Sequence, residues 1–271
     1  MKKFSWMLLA AGLAALLAGC AANNATSNID PRPAYEQAVA KINDGKFMDA
    51  QNILQRLILS HPGLSYIDSV QYYFGMSYYG NEDFHLAVAE FRRLITSFPR
   101  SALVDDAQFM VGKSYFDSAP GNVGLDQTDT QSAIRELKAF LEDYPGSDRR
   151  TEGELMLSRA YERLVEKQFR AARQYFRMGN RVSARIYFED LITEYPESGY
   201  TAEALFVLAQ IDEKELKFTD ARDKLNNLVA TFPNSTFVPK AVKMKAKLET
   251  KIAEAAKDSA AAAQLSGSKG E

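Results

Sequence analysis

One helix ending is written five times in this chain: LQRLILSHPG at 54–63, FRRLITSFPR at 91–100, LKAFLEDYPG at 137–146, FEDLITEYPE at 188–197 and LNNLVATFPN at 225–234. Each copy follows an alanine: Ala50, Ala87, Ala133, Ala184 and Ala221. Four residues on stand Leu54, Phe91, Leu137, Phe188 and Leu225. Seven on stand Leu57, Leu94, Phe140, Leu191 and Leu228. Offsets of four and seven share one helical face, so each segment is an amphipathic helix with an Ala, Phe/Leu and Leu stripe. Twelve residues after each alanine comes Pro62, Pro99, Pro145, Pro196 or Pro233, which stops the helix because the residue before a proline is pushed out of helical geometry. A serine soon follows each proline: Ser65, Ser101, Ser147, Ser198 and Ser235. Serine is a good N-cap, so a new helix is expected to start there.

The helices after the first four prolines carry a second pattern. Tyr72, Gly75 and Tyr78 correspond to Phe109, Gly112 and Tyr115, to Leu155, Ser158 and Tyr161, and to Phe206, Ala209 and Asp212. The middle position is small, as expected where two helices cross closely. A helix pair with a small crossing residue and a terminal proline resembles the tetratricopeptide repeat. The resemblance implies an all-α superhelical solenoid of about five helix pairs over 34–253, with repeats near 34–64, 65–100, 101–146, 147–197 and 198–234 and then a capping helix. Proline-to-proline spacings are 37, 46, 51 and 37 residues. In the 46-residue unit, DSAPGNVGLDQTD at 117–129 reads as a loop. In the 51-residue unit no Gly or Pro lies between Glu154 and Met178, so one long helix near 148–178 is expected, its two ends each serving as the first helix of a repeat. Residues 254–271 read as a disordered tail.

The N-terminus is a secretory signal: Met1-Lys2-Lys3, a charge-free run from Phe4 to Leu17, then Leu17-Ala18-Gly19-Cys20. The run is short for a membrane span. Cys20 is the sole cysteine and has no partner for a disulfide within the chain. Leu-Ala-Gly-Cys resembles the bacterial lipobox. That implies removal of 1–19 and covalent lipid on Cys20, with 20–33 as a polar tether. Ala21 after the cysteine resembles lipoproteins sorted to the outer membrane.

Little here supports chemistry. Lysine plus arginine number 33 against 35 acidic residues, which excludes bulk nucleic-acid binding. The two histidines, His61 and His85, form no cluster with cysteine for zinc, and His61 takes the place of an aromatic before proline. G-x-S-x-G and P-loop motifs are missing. Asp126 and Asp129 fit helix capping better than calcium. No catalytic residue, metal or cofactor is expected beyond the lipid.

Two surfaces for binding remain. Inward positions of the first helices give Tyr35, Val39 and Ile42, then Tyr72, Met76 and Tyr79, then Phe109, Lys113 and Phe116. They make either an aromatic groove for an extended peptide or core between stacked helices. Along the long helix, Arg163, Lys167, Arg170, Arg173 and Arg177 fall within an arc of about 120°, and Arg181 and Arg185 follow. This ridge is either a docking surface for an acidic partner or lipid headgroup, or a solvated face.

LAGC at 17–20, VGLDQTDTQSAIREL at 123–137 and YFRMGNRVSARIYFEDLITEYP at 175–196 resemble the BamD family of outer-membrane assembly lipoproteins. The resemblance implies a non-enzymatic scaffold on the periplasmic face of the outer membrane. Its C-terminal repeats would hold the POTRA domain of the barrel protein BamA beside other assembly lipoproteins. Its N-terminal repeats would receive unfolded barrel proteins. The alternative is a CpoB-like periplasmic repeat protein coordinating envelope constriction or peptidoglycan synthesis.

Overall fold

The structure, a computed structural model, describes residues 30–267. The signal segment and Cys20 lie outside the described residues. Eleven helices and no strand are found among them: α1 Arg32–Asn43, α2 Phe47–Ser60, α3 Ile67–Gly80, α4 Phe84–Ser97, α5 Val104–Ser118, α6 Thr128–Asp143, α7 Arg150–Arg177, α8 Arg181–Glu194, α9 Thr201–Lys214, α10 Phe218–Thr231 and α11 Val238–Gly267. They pack pairwise in chain order as an all-α tetratricopeptide solenoid.

The repeat register is the packing register. All five anchoring alanines are fully buried, as are Leu54, Phe91, Leu137, Phe188 and Leu225 four residues later. The residues before proline, His61, Phe98, Tyr144, Tyr195 and Phe232, share φ between −136° and −123° and ψ between 56° and 60°. Each amide still closes the last helical turn onto the carbonyl four residues back, and the proline prevents another. Gly179 at φ 78° ends α7, and the Asn180 side chain accepts from the Ser183 amide to start α8.

Three local expectations change. The serines are not N-caps. Ser101, Ser147, Ser198 and Ser235 each accept, through the hydroxyl, from the amide two residues on, which folds a turn ahead of the helix. Ser65 falls one place late, and Leu64 holds the equivalent turn position, its amide donating to the His61 carbonyl. The chain enters its first helix at Arg32, with Pro31 and Pro33 at the helix start. Proline lacks only an amide that the first turn would leave unpaired, so 31–33 open the fold instead of closing the tether. The last helix runs on to Gly267, past the boundary at 253 set by composition.

The long helix is present and has a consequence for the core. One run of packed side chains extends through Tyr72, Phe91, Phe109, Leu137 and Phe140 to Ala160. A separate one starts at Val165 and continues through Phe169, Phe188 and Leu208. Both lie on α7. The core is thus interrupted within α7, the continuous helix that joins the half-solenoids α1–α6 and α8–α11.

Candidate functional site

Most of the expected aromatic groove is core. Phe109 and Phe116 are buried, with Phe109 tilted on Phe140 at 5.6 Å. Tyr72 is buried against Phe91, and burial pushes its hydroxyl up to about 12. None of these three is available to a peptide, because each is gripped by the neighbouring helix. Tyr35, Val39, Ile42, Met76 and Tyr79 remain half-exposed. Tyr35 sits among Tyr66 and Tyr73, and Arg32 stacks over Tyr66 at 3.8 Å. Tyr79 donates to Asp117 at 2.5 Å, and Lys113 lies 3.6 Å from the same carboxylate. The inner face at this end is thus a mixed aromatic and polar surface.

The ridge divides into structural and free cations. Arg163 donates to the Phe116 carbonyl at 2.9 Å and stacks over its ring at 3.9 Å. Lys167 donates to the Leu125 carbonyl at 2.9 Å and so fastens the inserted loop to α7. Arg185 turns away to α9, 2.6 Å from fully buried Asp212 and 2.9 Å from Glu215, while Lys224 holds the other Asp212 oxygen at 2.7 Å. These three leave the docking surface, since a buried carboxylate or an open carbonyl claims each one. Arg170 pairs with Glu166, and Arg173 with Glu203 at 3.5 Å, both still exposed. Arg177 and Arg181 are exposed and make no ion pair among the described residues.

Asp126 and Asp129 also work locally. Asp126 accepts from the Thr128 hydroxyl. Asp129 accepts from the Ser118 hydroxyl and lies 3.3 Å from His85. Neither caps the helix as expected, since α6 starts after Gln127 with no side-chain cap; Asp129 ties the start of α6 to α5 and α4.

Sequence reasoning missed an apolar corner. Met178 and Val182 are 69% and 70% exposed, and Ile186 follows at the same four-residue spacing. Tyr187 beside it stacks on Tyr175 at 5.3 Å. The signal was present: Val182 and Ile186 fall off the buried Ala184, Phe188 and Leu191 stripe. Exposed Arg177 and Arg181 flank this corner.

It also missed a cleft of about 1210 Å³ between the half-solenoids. Its floor is α7 from Glu154 to Glu166, Phe116 comes from the first half, and the turn Tyr195–Tyr200 from the second. Ser158, expected at a helix crossing, instead lies exposed in it. Gly153 is the close crossing here, where an added Cβ would sit 2.9 Å from the Phe140 ring. A second hollow of about 500 Å³ continues along α7 past Phe169, Arg170, Arg173 and Arg177.

The family model described as outer membrane lipoprotein, YfiO, matches residues 27–217. This chain belongs to the YfiO family. A tetratricopeptide repeat model matches residues 203–235. The expectation of a BamD-like outer-membrane lipoprotein built from these repeats therefore stands, and the CpoB-like alternative gains nothing. Solved structures that match include the TPR2AB-domain:pHSP90 complex of yeast Sti1, 14% identical with TM-score 0.44 over 84% of this chain and 86% of that one. A tetratricopeptide repeat protein from Parabacteroides merdae is 11% identical with TM-score 0.35, covering 85% and 76%. A thermophilic TPR protein of Thermus thermophilus is 12% identical with TM-score 0.35, covering 82% and 100%. At these scores the likenesses carry no argument about function. Among the described residues of this YfiO-family chain, no helix is long and apolar enough to cross a membrane.

Proposed function

We propose that this YfiO-family protein is a scaffold anchored by lipid on Cys20 at the periplasmic face of the outer membrane, within the machinery that folds and inserts β-barrel proteins. Its corner at the α7–α8 turn docks the POTRA domain of a BamA-type barrel protein, and its N-terminal repeats receive unfolded barrel proteins. Other assembly lipoproteins join the complex. One observation carries the docking assignment: Met178, Val182 and Ile186 are exposed next to the exposed Arg177 and Arg181. An apolar centre with a charged rim is the anatomy of a protein interface. The neighbouring Arg170 and Arg173 extend the positive rim and favour an acidic partner face.

Affinity purification from detergent-solubilised outer membrane tests this reading. Arg170→Glu, Arg173→Glu and Arg177→Glu together, and separately Val182→Asp with Ile186→Asp, should each reduce recovery of the POTRA-bearing partner about tenfold or more. Circular dichroism should show an intact helical fold in both variants. Wild-type recovery from both would remove the corner as the docking surface.

A further inference from the structure

The cleft on α7 lies where the repeat pattern leaves out a helix. In the other units, the first helix is covered by the second at the small position thirteen residues after proline. Phe91 packs on Gly75, and Leu137 on Gly112, so closely that an added Cβ would meet them at 2.7 and 2.8 Å. The same position on α7 is Ser158, which is exposed, as are Leu155 and Glu162 on either side of it. The covering helix, α8, begins only at Arg181 and packs against the C-terminal half of α7, where Val165, Phe169 and Ala172 are buried. It stops at Glu194, and its turn, Tyr195–Tyr200, closes one end of the empty track. From Glu154 to Val165 the floor is about 17 Å long, or three turns, close to the 14-residue second helices elsewhere. Tyr161, Tyr195 and Tyr200 supply aromatic walls.

The charge of the track points to its occupant. Glu154, Glu162, Glu166 and Glu197 line it, against Arg159 and Arg163, and two of the four acids are already paired, Glu154 with Arg150 and Glu166 with Arg170. Arg163 is committed to Phe116. Glu162 and Glu197 make no ion pair among the described residues and are exposed at the rim. We infer that this cleft receives an amphipathic, net-basic helix of a partner protein, seated as the second helix that the junction of the half-solenoids omits. Its apolar face covers Leu157, Ser158 and Tyr161, and its cations meet Glu162 and Glu197. The site is distinct from the α7–α8 corner and stands whether or not a POTRA domain docks there.

Photo-crosslinking in intact cells tests it, with a photoreactive amino acid in place of Ser158 in the full-length protein and adducts mapped by mass spectrometry. The expected adduct lies in a helical segment of another envelope protein with net positive charge. Its yield should fall roughly fivefold or more in the Glu162→Arg, Glu197→Arg background. Both substitutions are on exposed side chains, and an unchanged thermal melt verifies the fold. No adduct, an adduct to lipid, to a second copy or to an extended or acidic segment, or a yield insensitive to the charge reversal would overturn the inference. A second photoreactive probe at Val182 reports the corner independently.

Discussion

Gly75 shows how little space separates the helices of one unit. An added Cβ would stand 2.7 Å from a ring carbon of Phe91, which is itself fully buried. Helix propensity favours alanine over glycine by up to about 1 kcal/mol, while overpacking a closed core costs about 1–3 kcal/mol. Gly75→Ala should therefore be less stable by about 1 kcal/mol, seen as a lower midpoint in urea. Gly63→Ala, with nothing within 4 Å of the new Cβ, should stay within about 0.5 kcal/mol of wild type. Leu216 presents the opposite case. It is exposed, yet its φ is 60°, a left-handed conformation that a leucine adopts at a cost. Leu216→Asn should raise stability by about 0.5–1 kcal/mol, because asparagine tolerates that geometry; a lower melting temperature would contradict this account of the turn. The alanine, Phe/Leu and Leu positions could be read directly, since one stripe of contacts recurs five times. The aromatic positions could not. The same Tyr and Phe spacing serves core or groove, and only the neighbouring helix decides between them.

Helix α7 carries the main departure from regular repetition. Its first turns back onto α6 through Gly153, Met156 and Ala160, and its last turns pair with α8 through Val165, Phe169 and Ala172. Two cores meet within one helix, and repeat arrays of this kind are stabilised mainly by nearest neighbours. Leu137→Ala removes a fully buried side chain from the first core and should cost about 2–5 kcal/mol there. In native-state hydrogen exchange it should lower protection in α3–α6 and leave α8–α10 nearly unchanged; equal loss in both halves would show one cooperative unit. The length of α7 was legible from a stretch without Gly or Pro. That its middle lacks a covering helix was not, because Leu155 and Ser158 fit the pattern of a crossing that never forms.

At the scale of the whole molecule, the solenoid meets its proposed N-terminal anchor. Asp30, where the described residues begin, is ten residues from Cys20, a span of about 35 Å when extended, so the proposed lipid on Cys20 would hold the scaffold close to the membrane surface. Cys20→Ala should shift the protein from the membrane fraction to the soluble periplasm, measured by fractionation and blotting; retention in the membrane would refute the anchor. The sequence by itself determined the fold class, the number of units, the register of each core stripe and the stop at each proline. These depend on local geometry and on spacing along one chain, both of which the sequence states. The tertiary structure decided which rings are buried, which of the cations from Arg163 to Arg185 are claimed by Phe116, Leu125 and Asp212, and where the Tyr161, Tyr195 and Tyr200 cleft opens. Those properties arise between residues about 20–50 positions apart, and their partners are set by how successive helices stack.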